Sequence, residues 1–229
     1  MMRAYKENFE TGKRRSYMES RKQLISLKGN KKVHMGIIPG HFATNHSHIN
    51  YYVDLNSIKT SFRMSRETAK MIAERYATTQ IDTIICVEGT ETLGAFLAQE
   101  LADANVSSVN SGKDIDILTP EINSNGQIIF RDDAQKKIWN KPVLLLISSA
   151  STGWSIERFA RCLDYYNGKL VGACALFSAI DEIIGIKVDS IFTEEDIPDY
   201  HTYAASECPM CKSKQKIDAL VNAFGYSKL

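Results

Sequence analysis

The run Val143-Leu-Leu-Leu-Ile147 constrains the fold more than any other stretch of the chain. Its apolar residues do not alternate with polar ones, so a strand built from them is apolar on both faces. Such a strand needs cover on both sides, which is the situation of a central strand in a parallel sheet. Ile84-Ile85-Cys86-Val87 repeats the pattern, and Leu170 to Phe177 and Ile115 to Leu118 are further strand candidates. Between them lie segments with helical spacing. Met64, Thr68, Met71, Ile72 and Tyr76 share one face, with Ser65 as the expected N-cap and Glu67 in the first turn. Leu93, Phe96, Leu97 and Leu101 share another, and Ile156, Phe159, Ala160 and Leu163 a third. Strands alternating with helices imply an α/β fold, a mainly parallel sheet of about five strands flanked by helices. Ligands of such folds sit at the carboxyl ends of the strands. That singles out two turns, Glu88–Thr92 and Ser148–Ser155.

Other segments are read more simply. Residues 1–32 form a charged, helix-prone arm with the basic run Lys13, Arg14 and Arg15, ahead of a domain at 33–229. Met18, Leu24 and Leu27 are positioned to dock part of that arm. Ile37 to Asp54 reads as a loop rich in polar and aromatic groups, either a binding surface or a packed lid. Asn125-Gly126 is a turn leading into Gln127–Phe130. Arg131 to Asn140 is charged and reads as a mobile connection, and Ser190 to Phe192 as a short strand. The final segment is expected to be a helix with Ile217, Leu220, Val221 and Phe224 inward, closed by Gly225.

Charge excludes some partners. With 28 basic and 27 acidic residues, nothing favours nucleic acid electrostatically. The longest apolar run falls far short of the ~20 residues of a membrane span. No secretory leader is evident at the polar N-terminus, and the five scattered cysteines suit a reducing, cytoplasmic setting.

The turn after Ile147 reads Ser148-Ser149-Ala150-Ser151-Thr152-Gly153-Trp154-Ser155. Small residues let the backbone turn so that several N–H groups face one point, and the helix dipole adds positive potential there. This is the chemistry of a phosphate cradle, although an ordinary N-capped strand-to-helix turn uses the same residues. Cys208-x-x-Cys211 has metal-like spacing, but structural zinc needs four ligands and no second such pair exists. His201 offers a third ligand at most, so zinc is not expected and a plain tail turn is. His41, His46 and His48 read as polar loop histidines touching ligand or backbone. Gly153-Trp-Ser155 is not a nucleophile elbow, because residue 157 is Glu rather than a second Gly.

The strand and turn at 143–155 resemble the signature of type I phosphoribosyltransferases: a hydrophobic strand, two acidic residues and a Thr-Thr-Gly-like loop. Gly40-His41-Phe42, His48 and Tyr51-Tyr52-Val53-Asp54 are similar to an early segment of the orotate phosphoribosyltransferases. Val87-Glu88-Gly89-Thr90-Glu91-Thr92-Leu93-Gly94 looks like that family's pyrophosphate loop. Asp196 to Tyr200 with Cys208-Pro-Met-Cys-Lys212 resembles the tail of several members. The resemblance implies a parallel-sheet domain with a small hood built from N- and C-terminal segments. It implies phosphoribosyl transfer from phosphoribosyl pyrophosphate (PRPP) to a nucleobase-like acceptor, with Mg2+, in a homodimer. Ser149 to Ser155 would bind the 5-phosphate, and Glu88, Gly89, Thr90, Glu91 and Thr92 would face the pyrophosphate.

The chain departs from the family at the acid pair, whose positions hold Ile147 and Ser148. The mobile catalytic loop's basic motif is reduced to Arg131, Lys136 and Lys137. The Asp-Arg pair that follows a later strand is replaced by Ser178-Ala179. These departures leave a second expectation beside the enzyme: a non-catalytic homologue that binds a nucleoside monophosphate or phosphosugar as a regulator.

Overall fold

The computed structural model describes residues 18–103 and 107–229. The basic run at Lys13–Arg15 lies outside them. The main sheet has the order β10-β11-β9-β8-β4-β5. Its members are β4 (Thr83–Cys86), β5 (Asp116–Leu118), β8 (Pro142–Ala150), β9 (Lys169–Ser178), β10 (Glu182–Ile183) and β11 (Ile186–Thr193). From β5 to β11 every pairing is parallel, and only the edge strand β10 is antiparallel. The expected parallel sheet is therefore present, with β8 at its centre.

Alternation of side chains along β8 divides the core. Leu144 and Leu146 join Ile84, Cys86, Cys174 and Leu176 on one face. Val143, Leu145 and Ile147 join Ile85, Val87, Ala173 and Ala175 on the other. All five residues from Val143 to Ile147 are fully buried. At about 1.5–3 kcal/mol for each buried aliphatic side chain, this strand is a leading source of stability.

The helices take their places from these two faces. α1 (Asn56–Thr60), α2 (Phe62–Tyr76) and α3 (Glu91–Ala102) cover the first, and α5 (Trp154–Tyr165) covers the second. The N-cap of α2 is Ser61, whose hydroxyl accepts from Met64 N, not Ser65 as the sequence suggested. Ser65 lies inside the helix, fully buried, and its hydroxyl donates to the Ile58 carbonyl (2.5 Å). The segment at 131–140 is a further correction. It contains a helical turn, α4 (Asp132–Gln135), and buries Ile138 completely, so it is anchored rather than mobile.

A second sheet forms the hood, in the order β12-β3-β2-β13-β14 with β1 beside β2. β1 (Gln23–Leu27) and the long β2 (Asn30–Ala43) are antiparallel, so part of the expected helical arm is strand. β2 and β3 (His48–Asp54) make a hairpin where a loop was expected. Its apolar residues alternate well enough to bury Ile37, Phe42, Ile49 and Tyr52. The chain returns to this sheet through β12 (Thr202–Tyr203), and then through β13 (Ala219–Asn222) and β14 (Gly225–Lys228). The expected C-terminal helix is thus a hairpin. Ala219 and Val221 are buried while Leu220 and Phe224 are exposed, a period of two rather than 3.6. The β6 (Glu121–Ile122) and β7 (Ile128–Ile129) hairpin stands apart from both sheets, closed by the Asn125-Gly126 turn. No helix among the described residues is long and apolar enough to cross a membrane.

Packing of α3 on β4 depends on Gly94. A Cβ there would lie 2.2 Å from Cys86 Sγ. Alanine raises helix propensity by up to ~1 kcal/mol, but overpacking costs roughly 1–3 kcal/mol. Gly94→Ala is expected to lower unfolding free energy by about 1–2 kcal/mol. In a Cys86→Ala background the same change becomes neutral or stabilising. Denaturant melts of the four chains in this cycle test the contact, and an equal loss in both backgrounds would refute it.

Candidate functional site

The carboxyl ends of β4 and β8 open into a cleft of about 570 Å³ beneath the hood. One wall is the turn Ser149–Ser155. Another is the hood, through Thr44, His46 and Tyr52, and the tip of the β6–β7 hairpin reaches the rim at Asn125.

β8 continues as strand through Ser148, Ser149 and Ala150, so the turn is shorter than the sequence suggested. It spans Ser151, Thr152 and Gly153, and α5 begins at Trp154. Gly153 is the N-cap residue, with φ of 75°. A Cβ there would also meet Ile180 Cδ1 at 2.6 Å and Ile183 Cγ1 at 3.0 Å. Glycine is therefore required twice, by backbone conformation and by space. The first amides of α5 have no intrahelical acceptor, as at any helix start. The first amide to turn back is Glu157 N, which donates to Gly153 O (3.0 Å). Ser151 N and Thr152 N donate to no acceptor among the described residues. The indole of Trp154 is 44% exposed and does not fill the cleft. It is flanked by the His46 ring (4.4 Å between centroids) and by the Arg158 guanidinium (4.4 Å from the ring centre).

Ile147 and Ser148, at the positions where the resemblance implies an acid pair, do not line this cleft. Ile147 packs beneath α5 with Ile156 and Phe159, and Ser148 is 1% exposed. The cleft's acid comes from elsewhere. Glu88 sits at the end of β4 in a left-handed conformation (φ 61°), a strained state for a non-glycine residue. Its carboxylate accepts from Ser149 N at 3.2 Å. Burial pushes its pKa up, opposed by the Ser149 and Ser148 amides and by Lys59. Lys59, 4% exposed, donates to the carbonyl of Glu88 (3.1 Å) and to that of Ala223 in the hood. Burial lowers its pKa, while Glu88, Asp54 and Glu91 act in the opposite direction. Arg158 is the cationic side chain on the cleft wall. Lys59 and Arg158 were missed from sequence, because a lone basic residue on a helix carries no local signal of what it will face.

The remaining turn residues have structural duties. Thr90 is fully buried and donates to Val87 O (2.9 Å) and Leu146 O (3.0 Å), tying the β4 turn to β8. Gly89 and Thr92 lie in the same turn and the start of α3, and Glu91 opens that helix. Thr119 Oγ1 donates to the Glu91 carboxylate at 3.5 Å. Arg131, Lys136 and Lys137 are engaged by Glu121, Asp133 and Asp116 and stay on the surface. Ser178 is buried, its hydroxyl donating to Ile180 O at 2.6 Å.

Four of the remaining candidates meet at the hood. His41 and His48, from the β2–β3 hairpin, converge with Cys208 and Cys211, their ligand atoms all within 4.8 Å of one another. His201 is outside this group and donates its backbone N–H to Asn50 Oδ1.

Because burial raises the Glu88 pKa, the folded chain holds that proton more tightly than the unfolded chain does. Stability therefore falls as pH rises from the ordinary 4.5 through the folded value. Glu88→Gln removes this slope. The variant is expected to gain on the wild type as pH increases from about 4.5 to 7, measured by urea melts at each pH. A difference that is constant with pH would rule out a proton held by Glu88.

No family model matches the sequence, and no curated protein sequence matches it. Solved structures do. A phosphoribosyltransferase from Corynebacterium diphtheriae superposes over 70% of this chain and 90% of its own, with TM-score 0.51 and 18% identity. The UMP synthase of Leishmania donovani matches 78% of this chain and 36% of its own, with TM-score 0.53 and 14% identity. At such identities the likeness is one of architecture: a parallel-rich sheet and its flanking helices, which together give this chain the fold of the type I phosphoribosyltransferases.

Proposed function

We propose that the cleft binds the 5-phosphate of PRPP at Ser149–Ser155, and that the protein is a divergent phosphoribosyltransferase acting on a nucleobase-like acceptor. The observation that carries this reading is the turn at Gly153. Its amides at Ser151 and Thr152 have no acceptor among the described residues, and they lie beside a helix N-terminus at the mouth of a cleft. Three hydroxyls, those of Ser151, Thr152 and Ser155, and the Arg158 guanidinium line the same wall. Thr90 and Gly89 belong to the opposing turn, where the pyrophosphate would lie. Mg2+ would arrive held mainly by the substrate's own phosphates.

In this reading Glu88 takes over part of the role of the missing acids. It is the carboxylate that lines the cleft, and one of its oxygens accepts from Ser149 N. A carboxylate has about four lone-pair sites, so capacity remains for a ribose hydroxyl. Negative charge there would also stabilise the oxocarbenium-like centre that develops at the anomeric carbon.

A second reading is favoured by Ile147 and Ser148, which are buried outside the cleft lining and offer no carboxylate. With one acid in place of two, the cleft would hold a nucleoside monophosphate or phosphosugar without turning it over.

Calorimetry with PRPP and Mg2+, then with nucleoside monophosphates, tests the phosphate site. Binding is expected to weaken roughly 10–100-fold in Arg158→Ala, the value of a charge-assisted hydrogen bond. Pyrophosphate release in the presence of free nucleobases separates the two readings. Release that is lost in Glu88→Gln, with PRPP binding kept, identifies a transferase. Tight monophosphate binding without release identifies a binding protein, and no binding of either ligand would sink both.

A further inference from the structure

We propose that His41, His48, Cys208 and Cys211 form a structural zinc site that fastens the C-terminal tail to the hood hairpin. The site is independent of the phosphate cleft and of its chemistry.

The distances are those of ligands around one ion. Zinc bound to nitrogen at about 2.0–2.1 Å and to sulfur at about 2.3 Å places tetrahedral ligand atoms about 3.3–3.8 Å apart. Here His41 Nε2 lies 3.1 Å from His48 Nδ1. It lies 3.6 Å from each of Cys208 Sγ and Cys211 Sγ. Cys211 Sγ is 3.2 Å from His48 Nδ1. All four atoms fall within 4.8 Å of one another, so one centre reaches them all.

Hydrogen bonding alone accounts poorly for this packing. His41 Nδ1 is 3.0 Å from the carbonyl of Gln215, which can only accept, so Nδ1 carries the proton. Nε2 of the neutral ring is then a single lone pair, and it is approached by three groups at once. A cation satisfies all four lone pairs together. The Nδ1–H···O=C bond is also what holds a ligating imidazole in the correct tautomer and orientation. Two sulfurs and two imidazoles in a tetrahedral array suit zinc rather than magnesium or calcium. Every position is supplied by protein, which makes the site closed and structural rather than catalytic.

The ligands come from two separate stretches of chain. His41 and His48 lie on β2 and β3, separated by the turn that carries Thr44 and His46 on the cleft wall. Cys208 and Cys211 bracket the start of the short helix α6 (Pro209–Lys212). From there the chain runs to Asp218, whose carboxylate accepts from His41 N (2.9 Å) and from Arg21 (3.1 Å). It then enters β13, which pairs with β2 at Phe42 and Ala43. The metal would close this loop of tail onto the hairpin and hold the hood in its seat above the cleft.

The test uses the full chain, purified under reducing conditions, stripped of metal and titrated with Co2+ and then Zn2+. One cobalt per chain is expected, with the visible absorption of tetrahedral Co2+ and thiolate charge-transfer bands, displaced by one zinc. Chelation should lower the melting temperature of the wild type. Cys211 is exposed, so Cys211→Ser leaves the fold assembled. That variant and His48→Ala should bind zinc more than about 100-fold more weakly and melt alike with and without chelator. His201→Ala should behave as the wild type. The proposal is overturned if the folded wild type takes up no stoichiometric zinc or cobalt, or if both substitutions leave uptake unchanged. It is equally overturned if Cys208 and Cys211 prove to be joined as a disulfide in the freshly isolated protein.

Discussion

Burial of β8 on both faces is the constraint on which the rest of the molecule depends. Its five apolar residues fill two cores at once, one shared with α2 and α3 and one with α5. A strand so placed must be central, its neighbours must run parallel to it, and helices must cover both sides. The strand's carboxyl end therefore emerges at a fixed place, between the end of β4 and the start of α5. Everything proposed for the cleft follows from that exit point. Gly153 turns the chain, Thr90 fastens the neighbouring turn to Leu146, and Glu88 is left beside the amide of Ser149.

The same alternation explains why the fold accepts Ile147 and Ser148 at the end of β8. Position 147 points beneath α5, where Ile147 is completely buried. An apolar residue there adds to the core, whereas a carboxylate would have to be paired or neutralised. Position 148 faces the other side and is closed as well. The turn after β8 is set by Gly153 and by backbone amides, which are indifferent to those two side chains. In the function proposed for the cleft, anion binding and acid chemistry are thus separable, the first resting on backbone amides and the second on side chains.

Legibility from sequence followed the reach of each signal. Central strands were plain because their apolar runs report local burial, and the parallel sheet followed from their alternation with helices. The hood was not plain. Ala219-Leu-Val-Asn222 is too short to distinguish a period of two from one of 3.6, and its pairing partner lies at Phe42 and Ala43. The polar and aromatic segment at 37–54 hides its alternation among histidines and tyrosines, so a hairpin passed for a loop. At the cleft, the glycine-bearing turn was visible because its chemistry is contiguous. Lys59 was not, since its partners, the carbonyls of Glu88 and Ala223, are distant in sequence.

The histidine and cysteine cluster shows the same limit in its sharpest form. Cys208 and Cys211 supply half of a tetrahedral site, and nothing near them in sequence supplies the remainder. His41 and His48 complete it only because β13 returns to pair with β2, bringing the tail beneath the hairpin. The two regions of chemistry then share one support. The hairpin that carries His41 and His48 also carries His46 at its turn, against the Trp154 ring at the cleft. A clasp on one side of the hairpin therefore bears on the geometry of the other, and the hood's seating is the physical link between the tail and the cleft.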